Sequence, residues 1–490
     1  MDDKGFGKKI ISATKWSTIT QIVAKIIVPI TNMILARILA PEAFGVITTI
    51  TMIISFVDMF TDAGFQKYLI QHEFNNIKEK YRNANVAFWT NLTISLLLWG
   101  IIILFSGEIA IMVGNPGLGG VIIVACAQLP LTSFSSIQMA LFRREFDFKT
   151  LFLVRILSIL IPIFITIPLA MIGFSYWSLI IGSIFTQLFN AIVLTLKSKW
   201  KPKLFYNIRL LKDMLSFSIW SLVEAISIWL TAWIDAFIIG YYLNEFYLGL
   251  YKTSTTMVNS LLALITASTV PVIFSALSRL QHDTVKFEKV FFKFQRLISI
   301  FVFPLGGGIF LFSDLATQVM LGDKWSRASD IVGIWGLTSA IMIVLGHYCS
   351  EVYRAKGRPK ISFFAQILHL IVLVPTCIIA ASFGFWTLVF ARSLIRMQFV
   401  LVHLVIMKVM MNISVLETFK NIFPSFISTV LMMGIGYLLR QISDNIIWSL
   451  FSICICGVFY LVILLTFNKT KIELIGITNR LTPKKFFKSS

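Results

Sequence analysis

Residues 16–38 read WSTITQIVAKIIVPITNMILARI. The run is longer than the roughly 20 apolar residues a helix needs to cross the hydrocarbon core of a bilayer, so it is read as a transmembrane span. Its polar residues are ordered. Thr14, Thr18, Gln21, Lys25 and Asn32 recur at +4, +3, +4 and +7, which places them on one helical face. A charge at the centre of a span costs about 2.5–3.5 kcal/mol on the insertion scale. Lys25, ten residues into the run, therefore requires a polar cavity or a partner. Two readings fit the stripe: the wall of a cavity, which the lysine favours, and hydrogen-bonding glue between helices.

The rest of the chain has the same character. Of its 490 residues 57% are hydrophobic and 13% charged, with a mean hydropathy of +0.84; soluble globular chains carry about a quarter charged residues. That balance excludes a soluble enzyme, a disordered protein and a disulfide scaffold. The five cysteines all lie in apolar stretches with no metal-ligand spacing. The opening Lys4, Lys8, Lys9 and Lys15 precede a run too long for a signal peptide and read as the flank of a retained span. Fourteen apolar runs follow one another: 16–38, 43–64, 84–105, 118–140, 150–172, 176–196, 216–240, 249–273, 297–313, 329–350, 361–382, 386–408, 422–440 and 446–467. The run at 297–313 is the shortest signal, and twelve spans is the fallback if two weak ones fail.

The net charge of +20 is a topology signal rather than a nucleic-acid footprint. Of the 43 Lys and Arg, 34 fall in the N-terminal segment and in alternate connections, five in the other connections, and four inside spans. By the positive-inside rule both termini are cytoplasmic and the number of spans is even. A weak repeat runs at an offset of 204: Trp16-Ser17 match Trp220-Ser221, Leu39 matches Leu243, Gly45 matches Gly249, and Thr49 and Thr51 match Thr253 and Thr255. Six spans separate the copies, so the repeat is parallel, as in transporters built from two equivalent halves. The predicted fold is an all-α polytopic membrane protein of about fourteen transmembrane helices, with two parallel six-helix lobes around a central cavity plus two C-terminal helices. The lobes are assigned to 1–200 and 201–412, the added helices to 413–468 and a basic cytoplasmic tail to 469–490.

No P-loop, zincin, nucleophile-elbow or dinucleotide-binding motif is present, and the longest outer connection, 313–328, leaves no room for an aqueous catalytic domain. No catalytic residue, metal site or cofactor is expected. Ser221, Glu224, Ser227, Thr231 and Asp235 form a second polar stripe in span 7, with the same two readings as the first. Arg392 and Arg396 lie four apart in span 12, on one face. Two like charges in low dielectric need an anion or an acid between them, and a guanidinium fork matches phosphate. The pair is thus a pyrophosphate contact or a partner of Glu224 or Asp235. Arg155, near the end of span 5, is read as snorkelling to the cytoplasmic face. Asp58, Asp62, and the His347–Glu351 pair are candidate gate or coupling residues, with His369 a helix-contact residue.

Residues 35–45 (LARILAPEAFG), 62–65 (DAGF) and 68–71 (YLIQ) resemble the end of span 1 and the D-x-G-F stretch of Wzx-type polysaccharide flippases, in particular the colanic-acid and teichuronic-acid exporter branch. The resemblance implies the multidrug/oligosaccharidyl-lipid/polysaccharide exporter fold with spans 1 and 7 lining a cationic cavity. It also implies transfer of an undecaprenyl-pyrophosphate-linked oligosaccharide to the outer leaflet of the bacterial cytoplasmic (inner) membrane. Lys25, Arg392 and Arg396 would supply the cations on physical grounds, with Gln21, Asn32, Glu224, Thr231 and Asp235 lining the cavity. Arg37 and Asp62 fall in the motif as fold or gate elements. Partners on this reading are the lipid-linked oligosaccharide, membrane lipid, and a polysaccharide polymerase with its chain-length machinery. Two rivals stay open: a proton- or Na⁺-coupled drug or cation antiporter using Glu224, Asp235 or Asp58, and a non-transporting membrane scaffold of a polysaccharide synthase complex.

Overall fold

The computed structural model describes residues 3–62, 64–443 and 445–473, with side chains described throughout except at 3–11, 14, 62, 216–221 and 224. Among the described residues there is no strand. Among the same residues, fourteen helices are long and apolar enough to cross a membrane. Spans 1 to 7 are Lys15–Ile38, Pro41–Thr61, Ile77–Leu104, Gly119–Arg144, Phe148–Met171, Ser175–Lys197 and Ala225–Tyr242. Spans 8 to 14 are Glu245–Arg279, Thr284–Leu311, Asp323–Ala355, Lys360–Ser382, Phe385–Met411, Val415–Arg440 and Ile446–Thr466.

Every expected run is a helix, and the apolar runs understate several of them. Span 9 starts well before residue 297 because Lys286, Lys289, Lys293 and Arg296 interrupt the hydropathy without interrupting the helix. Its cap is Asp283, whose carboxylate accepts the Lys286 amide at 3.0 Å; that bond, with the Lys286 ammonium beside it, holds the carboxyl below its ordinary value. The outer connection at 313–328 is helical too, as Ser313–Met320 and a 3₁₀ turn at Asp323–Ala328. Two spans carry π turns, Pro162–Thr166 in span 5 and Ile343–His347 in span 10. Proline lacks the N–H of the regular ladder and crowds the preceding carbonyl; the wider turn at Pro162 is one way to absorb that mismatch.

By internal contacts the chain divides into two compact units, Met1–Thr253 with Cys377–Phe385, and Ser254–Thr376 with Trp386–Ser490. The boundary between these units falls within span 8, and span 7 packs on spans 2 and 3 and on the short helix Phe65–Gln71. In the first unit, Phe65, Leu69, Ala84, Phe88, Ile137 and Trp200 form one buried cluster. Spans 3 and 4 are also joined by a polar seam: Asn91 donates to Ser136 at 2.9 Å, and Ser133 donates back to Asn91 at 3.1 Å. Such bonds associate helices where lipid gives no hydrophobic drive.

The repeat has a spatial counterpart in this unit. An offset of 204 carries Pro41 to Glu245 and Gly45 to Gly249. A Cβ on Gly45 would land on the carbonyl oxygen of Glu245, and a Cβ on Gly249 on that of Pro41. The two equivalent helix starts thus pack against each other's glycine, the reciprocal contact of a two-fold arrangement.

In the second unit, Ile300, Leu311, Met432, Tyr460 and Leu464 knit spans 9, 13 and 14 together, and the Tyr460 hydroxyl donates to the Ile300 carbonyl at 2.8 Å. Arg296 clasps Glu473 through two bonds of 2.9 and 2.5 Å and donates to Asn421 at 2.7 Å, tying the segment after span 14 to span 9.

Candidate substrate site

Of the polar stripe of span 1, Asn32, one turn beyond Val28, reaches the lining of a cavity of about 310 Å³ bounded by spans 1, 4, 5 and 6. Thr31, Gln128, Thr166, Thr186 and Gln187 supply much of the remaining polar wall, and no lining residue is charged. Span 6 reaches the π turn of span 5 because Gly182 has no Cβ; one placed there would strike the Thr166 hydroxyl. Lys25 is half-buried one turn before Val28, and Gln21 is exposed one turn earlier. A larger groove of about 700 Å³, walled by Trp89, Thr90 and Leu204–Tyr206, contains none of the span cations.

The second unit holds the arginine pair. Both guanidiniums sit over the indole of Trp335 in span 10, Arg396 at 3.8 Å and Arg392 at 5.5 Å from the ring centroid. Arg396 also donates to Ser339, one turn along from Trp335, at 2.5 Å. Trp335 is itself fixed by donating its ring N–H to Asn259 of span 8 at 3.1 Å. A cation over a tryptophan face gains about 0.5–2 kcal/mol, most when desolvated. The aromatic face therefore offsets part of the repulsion between the buried Arg392 and the half-buried Arg396.

The remaining candidates are placed as follows. Asp235 is buried and accepts from the Tyr251 hydroxyl and the Ala236 amide, both at 2.8 Å, so it joins span 7 to span 8. The Thr231 hydroxyl returns to the Ser227 carbonyl of its own helix at 3.1 Å. The side chains of Glu224 and Asp62 lie outside the described residues. Asp58 sits near Thr132 of span 4, whose hydroxyl is 3.5 Å from its carboxylate. Arg37 is exposed at the far end of span 1. Glu351 is buried and paired with Arg354 at 2.5 Å, and His347 is exposed at the end of its π turn. His369 bonds Gln398 at 3.0 Å and stacks on Phe399 at 4.3 Å.

Sequence reasoning missed Trp335 and Ser339 because an indole inside an apolar run counts as core. It also missed the far wall of the cavity, although Ser183, Thr186, Gln187 and Asn190 follow a helical spacing in span 6 that was there to be read.

These features, fourteen spans with cations at membrane depth and a polar cavity in the first unit, define a polytopic membrane protein of transporter type. The family of polysaccharide biosynthesis proteins matches residues 34–330, and the chain belongs to it. It is 23% identical to an uncharacterized membrane protein in the cps region of Klebsiella pneumoniae, over 97% of this chain and 99% of that one. It is 22% identical to the lipopolysaccharide biosynthesis protein WzxC of Escherichia coli over 76% of each chain. The fold is shared with the inward closed conformation of the lipid II flippase MurJ, with a TM-score of 0.75 at 16% identity, covering 93% of this chain and 99% of that one.

Proposed function

We propose that the protein is a flippase that moves an undecaprenyl-pyrophosphate-linked oligosaccharide from the cytoplasmic to the outer leaflet for surface polysaccharide synthesis, by alternating access and without making or breaking bonds. The observation that carries this reading is the set of cations held at membrane depth. Lys25 is ten residues from the start of span 1 and Arg396 eleven from the start of span 12, each about 15 Å into a core about 30 Å thick. Each cation so placed suits a phosphate group, while the lipid tail stays in the bilayer. The inside-negative potential favours outward movement of an anion by about 2.3 kcal/mol per charge per 100 mV, or about 4–5 kcal/mol for two.

The orientation proposed, with both termini cytoplasmic in a bacterial inner membrane, rests on the 34 cations against five in alternate connections. The product would pass to a polysaccharide polymerase and its chain-length machinery. An antiporter working through Asp235 is the poorer reading, since that acid is buried in bonds to Tyr251 and the backbone.

Deletion of the gene should abolish the surface polymer and accumulate lipid-linked repeat units in the cytoplasmic leaflet. Restoring the Arg392→Ala/Arg396→Ala double variant should leave that phenotype in place while the protein still inserts. Normal polymer in the deletion strain, with heightened sensitivity to cationic drugs, would point to an antiporter instead.

A further inference from the structure

We infer that the cavity bounded by spans 1, 4, 5 and 6 is a subsite for a neutral sugar ring, the one joined directly to the pyrophosphate; this rests on the flippase reading above. The lining chemistry selects the ligand class. With no charged group in the wall, the cavity has nothing to hold a phosphate. Three of its hydroxyl protons are already committed: Thr31 donates to Ile27, Ser183 to Ile180 and Thr186 to Gly182, each to a carbonyl of its own helix at 2.8–3.0 Å. Gln128 likewise gives an amide proton to the Ala125 carbonyl at 2.9 Å. What these groups still offer is lone pairs on three hydroxyl oxygens and an amide oxygen, with the second amide proton of Gln128, and the amides of Asn32 and Gln187 stand in the same wall. An uncharged surface of hydroxyl oxygens and amides suits a ligand rich in hydroxyl groups, which both donate and accept. A lipid tail or an apolar drug would leave those polar groups unmatched, at a cost in binding.

Size and position agree. About 310 Å³ is at the lower end of ligand pockets, which run from about 300 to 1,000 Å³, and it suits a single pyranose ring rather than a whole repeat unit. Asn32 in the wall is seven residues from Lys25 on the same face, about 10 Å along the helix. A pyrophosphate at Lys25 would therefore place the ring it carries at Asn32. The π turn Pro162–Thr166 brings Thr166 to the same cavity, and π turns inside helices are frequent at functional sites.

The test uses the full-length protein in nanodiscs and two probes: undecaprenyl pyrophosphate, and the lipid-linked repeat unit extracted from a strain lacking this gene. The readout is the ratio of the two affinities, which a general loss of folded protein does not move. The wild type should prefer the sugar-bearing lipid by about 10-fold, the worth of two or three neutral hydrogen bonds. Gln128→Leu/Thr186→Val should bring the ratio near unity, Thr186→Val alone should lower it part-way, and Thr186→Ser should keep it. Lys25→Ala should weaken both probes together. A wild type that binds both lipids equally, or a preference that survives Gln128→Leu/Thr186→Val, overturns the subsite and leaves the flippase reading standing. A wild type that binds neither overturns both.

Discussion

Span 1 and span 7 begin equivalent stretches of the repeat, and matched positions in them do opposite things. Thr31 lines the polar cavity; its counterpart 204 residues on, Asp235, is buried and committed to Tyr251 and the Ala236 amide. Lys25 stands half-buried one turn before Val28 of the cavity wall; its counterpart Trp229 donates its ring N–H to Ser55 of span 2 at 3.0 Å. One copy keeps polar groups facing a space that a ligand can enter. The other spends them fastening spans 2, 7 and 8. Matched positions of the repeat thus lie on a cavity wall in one place and in a structural strut in the other, and helical periodicity is identical for both.

The sharpest way to break that contrast is Lys25→Ala. Losing a charged contact to a pyrophosphate removes about 1.5–3 kcal/mol, so export per protein molecule should fall roughly 10- to 100-fold, with the amount of protein in the membrane unchanged. A fall in protein level with export per molecule intact would make span 1 a strut like span 7. Asp235→Ala is the mirror experiment. It takes from the buried Tyr251 hydroxyl the carboxylate that it donates to, at about 1–3 kcal/mol of stability. Melting temperature and membrane level should drop, and export should drop only in proportion. Loss of export at full protein level would give Asp235 a coupling role.

The number and order of the spans were legible because apolar runs and the placement of lysine and arginine are properties of the sequence itself. Helix ends were less so. Lys286, Lys289, Lys293 and Arg296 lie on a helix that continues beyond its apolar part, and hydropathy cannot follow it there. The stripe through Gln21, Lys25 and Asn32 marked a real wall of the cavity at Asn32. Its opposite walls, from Gln128 to Gln187, needed knowledge of which spans are neighbours. The span 7 stripe was equally visible, yet periodicity says which residues share a face and not what the face meets. The arginines at 392 and 396 stood out by charge, whereas the indole beneath them did not.

The reciprocal glycines probe the repeat itself. Adding a methyl at Gly45 drives it into the Glu245 carbonyl, and at Gly249 into that of Pro41. Neither carbonyl is a flexible side chain that can turn aside, so each Gly→Ala change should cost about 1–3 kcal/mol. Because both open the same contact, the double variant should lose less than the sum of the two. Simple additivity in thermal melts would show two independent contacts and remove the two-fold reading.

The smallest effect is the most specific to the comparison. Ser55→Ala deprives the Trp229 ring of its acceptor while leaving the fold of both helices in place. Hydrogen bonds between membrane helices average about 0.6 kcal/mol, so the melting temperature should fall only slightly and export per molecule should hold. Trp229→Phe removes the donor and also repacks against Phe56, whose ring lies 4.8 Å from the indole, so its own loss mixes two effects. The cycle of Ser55→Ala with Trp229→Phe separates them. A coupling near 0.6 kcal/mol assigns the strut to the hydrogen bond. A coupling near zero assigns it to the aromatic contact, and Trp229 would then differ from Lys25 by packing alone.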